Sequence, residues 1–324
     1  MFKKSIPLAA ALAASCALLS GPVQAAGYPA QPVRVVVPWP AGGLVDLLAR
    51  SVADKAQASL GVPMIVENKP GAGGAIGAGE VARAAPDGYT VMLTTSAMNM
   101  NAAIRKGLTY DVEKSFVPIA VAAYTSLILV TSPNGPDSVQ ALIDQARKQP
   151  GKLTYASAGV GTPGHFAGEM LKSAQHIDVV HVPYKGGPPA MVDQISGRVD
   201  YHFANAVVAL PQIKDGKIKA LAVASAHRVP QLPDVPTMAE AGVQGFDLDQ
   251  WLGYLAPAGT PPEVVKTLHD AITAAAQDKS LQASLVKNGM RAAEPMSPDA
   301  FKTYLHDDYA KWKSVAKASD IHLD

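Results

Sequence analysis

The sequence predicts an α/β protein of two similar lobes joined by two chain crossings. Short apolar, β-branched runs alternate with glycine loops and helical patterns from residue 33 onward, and the same order restarts near residue 128. Beyond residue 256 only helical patterns remain, so the tail cannot build a sheet of its own and must return to an existing lobe.

In the first lobe Val33 to Val37 reads as a strand, Pro38 to Gly43 as a glycine loop, and Leu44, Leu47, Leu48 and Val52 as one helix face. Val62 to Val66, the loop Glu67 to Gly74 and an alanine-rich helix to Ala84 repeat the unit. Pro86-Asp87-Gly88 then turns into the strand Thr90 to Thr94. Such alternation predicts a mostly parallel sheet with helices on both faces. In the second lobe the strand Leu127 to Thr131 leads to a helix over Ser138 to Lys148 and a strand over Leu153 to Ser157. The loop Ala158 to Gly164 opens a helix from His165 to about Ala174. The strand Asp178 to Val182, the loop Pro183 to Pro189 and the helix Ala190 to Ser196 follow, and strands at Val199 to Phe203 and Ile218 to Ser225 complete the lobe. Trp251 to Ala256 crosses back, and helices are expected over Pro262 to Ala275, Leu281 to Lys287 and Pro298 to Lys317. The expected organisation is residues 26–125 plus 252–324 as lobe 1 and 126–251 as lobe 2, with a hinge at the crossings.

Composition narrows the function. With 28 Lys+Arg against 27 Asp+Glu in 324 residues, and no basic run, the charge footprint needed for nucleic acid or an anionic membrane is absent. Residues 1–25 read as a signal peptide: Lys3 and Lys4, an apolar run from Ile6 to Leu19 too short to span a bilayer, then Val23-Gln24-Ala25. Ala14-Ser15-Cys16 also offers an imperfect lipid-attachment site, the competing reading. Cys16 is the only cysteine, so an exported chain cleaved after Ala25 has neither thiolate chemistry nor a disulfide.

Two loops carry the strongest functional signal. Pro38 to Asp46 and Ser157 to His165 each run from the carboxyl end of a strand into a helix N-terminus, where unpaired N–H groups and the positive dipole end favour an anion. Either loop alone is an economical connection; the pair in corresponding places of two lobes points to a shared cleft. Glycines such as Gly42, Gly43 and Gly161 let a ligand approach the main chain, and Thr94, Thr95, Ser96, Ser157 and Thr162 offer hydroxyls. Asp46, in the first helical turn, is read first as a structural cap and second as a recogniser of cations. Trp39 and Trp251 are either core residues beside the hinge or flat ligand walls. Asn205 is either a ligand contact or a buried turn amide, and Lys185 either attracts an acid or is simply solvated.

Other chemistries fail on their own requirements. Gly159 to Gly164 fits GxGxxG, but the next strand ends Val182-Pro183-Tyr184-Lys185 without the acid that would hold a ribose. No GxxxxGK[ST] loop exists, and Tyr155 stands where a nucleophile elbow needs glycine, which leaves Ser157 as a hydrogen-bonding group. His165 and Glu169 share a helix face without a third ligand, so neither a metal site nor a cofactor is expected, and no Ser/His pair is apparent.

Six ordered motifs resemble one family. Tyr28-Pro29 to Arg34-Val35, Pro38 to Gly43 with Asp46, Glu67 to Gly73, Pro86 to Thr90, Tyr184 to Gly187 and Ala256 to Pro261 are together similar to the Bug family, the periplasmic solute-binding receptors of tripartite tricarboxylate transporters. The resemblance covers nearly the whole mature chain. It implies a Venus-flytrap binding protein, not an enzyme, that acts as a monomer in the periplasm, takes a small organic carboxylate and presents it to transporter membrane components. A receptor feeding a signalling partner and a secreted hydrolase are the rival readings. By position it implies ligand contacts at Trp39, Pro40, Ala41, Gly42, Gly43, Leu44 and Asp46, to which the hydroxyls of Thr95 and Ser96 are added as candidate contacts. In lobe 2 it implies Ser157, Gly161, Thr162, Pro163 and His165, with Tyr184 and Asn205 as neighbouring walls. Two departures matter: Leu44 and Val45 replace small polar residues, and Asn205 stands where an acid is frequent. Both disfavour an amino-acid ligand and favour an apolar or aromatic carboxylate.

Overall fold

The computed structural model describes residues 27–322; the expected signal peptide and Cys16 lie outside them. In chain order the first unit is β1 (Val33–Val37), α1 (Leu44–Leu60), β2 (Met64–Asn68), α2 (Ala75–Ala82), β3 (Thr90–Thr95), α3 (Ala97–Ile104) and β4 (Phe116–Thr125). The second is β5 (Leu127–Thr131), α4 (Val139–Lys148), β6 (Thr154–Ser157), α5 (Pro163–Gln175), β7 (Val180–Pro183), α6 (Gly187–Ile195), β8 (Tyr201–Asn205), α7 (Ala206–Lys214) and β9 (Lys219–Val223). The return adds β10 (Gln250–Pro257), α8 (Pro262–Ala276), α9 (Lys279–Lys287), β11 (Met290–Ala292) and α10 (Pro298–Ala318).

These strands form two sheets, ordered β11-β4-β10-β3-β1-β2 and β7-β6-β8-β5-β9. Among the named strands of the described residues, β1 pairs parallel with β2 and β3, and β6 with β7 and β8. The remaining pairings are antiparallel, so the sheets are more mixed than helix–strand alternation predicts. The reason lies in the crossings: β4 runs straight on into β5, and β10 returns without a crossover helix, so these strands oppose their neighbours. Gln250 and Trp251, expected in lobe 2, pair with Thr125 and Tyr124 in the first sheet. The two crossing segments are tied together by Ser126 Oγ, which donates to Asp249 Oδ1 at 2.6 Å.

Each lobe has its own core. Leu44, Leu48 and Val52 of α1 meet Leu268 and Ile272 of α8 over the valines of β1, all at most 6% exposed. Tyr155, Phe166, Phe203 and Leu171 fill the second. The C-terminal helix does more than pack back on the first lobe. Phe301 meets Trp251 edge-on at 5.7 Å between ring centroids, while farther along α10 Trp312 meets Phe166 of lobe 2 at 5.6 Å. Between them Asp308 accepts from Trp251 Nε1, Trp312 Nε1 and Asn99 Nδ2 at 2.8–2.9 Å. Burial raises the Asp308 pKa, and the three N–H donors act against that rise.

Candidate functional site

Between the sheets lies a cavity with about 530 Å³ of space free of protein atoms, counting its solvent mouth. Most of its walls come from the carboxyl ends of strands, the place where open α/β sheets bind ligands. Trp39, Pro40, Gly43, Leu44 and Val45 line it from the first loop, Thr95 and Ala97 from the end of β3, and Ala158, Thr162 and Pro163 from the second loop. Gly186, Gly187, Pro188, Asn205, Val208 and Gln250 close it. Among the described residues, no charged side chain lines this space.

What meets a negative charge here is the backbone. Gly43, Thr162, Gly186 and Asn205 are the residues that begin α1, α5, α6 and α7, and all four line the cavity. A fifth helix, α3, starts there at Ala97. None of the five is capped by the side chain of its N-cap residue, although Thr95 Oγ1 accepts from Ala97 N–H at 3.2 Å. Away from the cleft, Ser138, Asp278 and Ser297 cap α4, α9 and α10 by accepting from an N–H of the first turn, whereas α2 and α8 also lack a side-chain cap. The cleft helices thus keep their positive ends, and free donors where the first turn is not proline: Pro163, Pro188 and Pro189 carry no N–H, and the Ala97 N–H is held by Thr95. Each end is worth about 0.3–1 kcal/mol to an exposed anion and up to about 2 kcal/mol to a partly buried one. Five converging ends replace a buried cation.

Asp46 does not line the cavity. Its carboxylate turns back into the loop, accepting from Gly42 N–H at 3.0 Å, Arg50 Nε at 3.0 Å and Asn68 Nδ2 at 3.0 Å. Asn68 also donates to Trp39 O. Burial works against the charged form, but Arg50, Gly42 and Asn68 outweigh it and hold Asp46 below the usual carboxylate range. Ala41 and Gly42, expected as contacts, are exposed on the outer side of the same turn, and Gly42 supplies its positive φ of 78°. Asp46 and these two residues shape the loop that presents Gly43 and Leu44.

The second loop has a similar rear support. Ser157 is fully buried; its Oγ lies 2.7 Å from His181 Nε2 and accepts from Gly159 N–H at 3.1 Å. His165 Nδ1 takes the Gly161 N–H at 3.4 Å, and the His165 and His181 rings lie 4.4 Å apart. Burial lowers both histidine pKa values, that of His181 to about 3, so both rings are neutral at pH 7. A Ser/His pair thus exists that the sequence did not reveal, yet both its atoms face the loop interior, and among the described residues no carboxylate bonds His181. Ser157 and His165, expected against the ligand, lie behind the wall, as does the buried hydroxyl of Ser96.

Gly161, with φ of 80°, is also outside the lining: a Cβ there would lie 2.5 Å from Asn101 Oδ1 of lobe 1. Asn101 in turn donates to Ala72 O and Gly73 O at 3.1 and 2.8 Å. On the other rim a Cβ on Gly186 would lie 3.1 Å from Pro40 Cγ, so the lobes touch on both sides of the cavity. Trp251 is core. Trp39 and Pro40 are walls shared with an outer cavity of about 1240 Å³, where Tyr184, Lys185 and Arg105 stand. Tyr184 is turned to Asp193 Oδ2 at 2.7 Å. Gln250, missed by the sequence reading, donates to Asn205 Oδ1 at 2.7 Å on the cavity wall. Its signal was a polar residue heading an otherwise apolar strand at the crossing.

Comparison with known proteins gives a consistent picture. The tripartite tricarboxylate transporter family receptor model matches residues 48–321. Protein BugT of Bordetella pertussis is 34% identical over 310 residues, 94% of each chain. The structure of R. palustris Rpa4515 with adipate is similar with a TM-score of 0.87 at 33% identity, covering 91% of this chain and 99% of that chain. MatC (Rpa3494) from Rhodopseudomonas palustris with bound malate has a TM-score of 0.85 at 31% identity, covering 89% of this chain and 99% of that one.

Proposed function

Because the chain belongs to the tripartite tricarboxylate transporter receptor family, we propose that it captures a small organic carboxylate between its lobes and delivers it to the membrane components of such a transporter. The observation that carries this reading is the convergence of five helix N-termini on a cavity without a charged side chain. A carboxylate is the simplest solute that uses free N–H donors and dipole ends together. The adipate and malate held by two similar proteins support the same chemical class.

Binding, not catalysis, is the proposed role: the Ser157–His181 pair supports a loop and lies off the cavity wall. Closure over the ligand shifts the receptor to the form that docks on the transporter. The cavity is complete within one chain, which supports action as a monomer. The reading places the protein in the periplasm, as the receptor family and its expected signal peptide suggest.

Calorimetric titration of the purified mature chain against aliphatic and aromatic mono- and dicarboxylates, each beside its neutral primary amide, tests the proposal. Carboxylates should bind and the matched amides should not. Equal binding of both, or no binding of any acid, overturns it.

A further inference from the structure

The amide pair on the cavity wall has a property that survives any assignment of its atoms. Asn205 ends β8 in the second sheet, and Gln250 begins β10 in the first, so their 2.7 Å bond spans the two lobes. Gln250 is 2% exposed, and both residues line the cavity. A primary amide has a donor group and an acceptor. Spending the NH₂ of one on the C=O of the other leaves one free acceptor on the first and one free NH₂ on the second. Exchanging O and N in both amides reverses the roles and leaves the same complement. Among the described residues neither leftover group bonds the protein.

We infer that Asn205 and Gln250 form a specificity pair that reads a hydroxyl on the ligand, which makes the solute a hydroxycarboxylate. This rests on the carboxylate reading above and names the class of acid. A hydroxyl accepts from the free NH₂ and donates to the free C=O, so one small neutral group satisfies both. A second carboxylate would meet the C=O unfavourably, and an ammonium would find no acid among the described lining residues. A plain acid leaves both amide groups unpaired once the lobes exclude water, which is the costly case. Because the pair spans the lobes, the hydroxyl also stabilises closure.

The test compares matched acids on the wild-type chain by calorimetry: propionate with lactate, butyrate with 3-hydroxybutyrate, and succinate with malate. At least one hydroxylated member should bind about tenfold or more tightly than its plain partner, the size of one well-made hydrogen bond. Gln250→Met, which keeps the length and removes both polar atoms, should bring that member to the level of its plain partner, whatever change in affinity the two acids share. Equal binding within every pair, or a preference that survives Gln250→Met, overturns the inference while the carboxylate reading stands. Absence of binding by any acid takes down both. If circular dichroism shows that the variant is unfolded, the wild-type pairs decide alone.

Discussion

Asn101 and Gly161 meet across the lobe boundary so closely that a Cβ on Gly161 would lie 2.5 Å from Asn101 Oδ1. The contact links the second anion loop to the first lobe's glycine turn, since the same Asn101 side chain holds Ala72 O and Gly73 O. A Cβ on Gly73 would likewise sit 2.6 Å from Val160 O. Glycine is therefore required at both faces of this seam.

Gly161→Ala should weaken ligand binding at least tenfold. The new methyl must displace Asn101 or hold the lobes apart, and the φ of 80° adds strain of about 1 kcal/mol. Either route disturbs the loop that presents Thr162 and Pro163, whereas the cores stay intact and the unliganded melting temperature should fall by only about 2–4 °C. Calorimetry and thermal melting on the same preparation check this. An unchanged affinity would remove the seam from any account of binding.

Asp46→Asn tests the rear support of the first loop. It removes the charge bonded to Arg50 and weakens the grip on Gly42, at a cost of about 1.5–3 kcal/mol for hydrogen bonds to a buried charge. The Asp46 pKa is lowered in the folded chain, so its contribution is full above the unfolded value of about 4 and is lost as pH falls through the folded value. The stability gap between wild type and variant, measured in urea, should be constant from about pH 7 to 5 and shrink below about pH 4. A gap that widens on acidification reverses the sign and refutes the assignment.

Much of this architecture was legible in the chain, and the failures share a cause. The two anion loops could be read because a glycine turn after an apolar strand is local, as Pro38 to Gly43 and Ala158 to Thr162 show. Orientation was not legible. Asp46, Ser157 and His165 sit beside the ligand loops in sequence, but their side chains turn inward to partners such as Asn68 and His181, 22 and 24 positions away. Gln250 was missed for the same reason: Asn205 is 45 residues distant, and no motif links them. The mixed pairing of the sheets was hidden because strand direction follows from where the chain crosses between lobes, not from the alternation of strands and helices.

His181→Asn should flatten the acid limb of the stability curve. In the folded chain burial and the neighbouring His165 hold His181 at about 3, well below the usual 6.5. Between those values the unfolded chain carries one more proton than the folded one at this position, so stability falls as pH falls from about 6.5 towards 3. Replacing the ring removes about one proton from the uptake on unfolding in that window. Urea titrations at pH 6, 5 and 4 measure it; identical slopes for wild type and variant would show that His181 is not held neutral.

Asp308→Ala addresses the joint between the lobes. The carboxylate takes N–H bonds from Trp251 on the first sheet, from Trp312 next to Phe166 of lobe 2, and from Asn99 on α3. Truncation leaves three buried donors without their acceptor and opens a small void, a loss of about 3–5 kcal/mol. At about 2–4 °C per kcal/mol for a chain of this size, the melting temperature should drop by about 6–20 °C. Because α10 touches both cores, the loss should loosen the lobes against each other as well as lower stability. Hydrogen exchange of the Trp251 and Trp312 indole N–H groups should then quicken together. A variant that melts within about 2 °C of wild type with both indoles still protected would show that the joint is held by aromatic packing alone, without the buried acid.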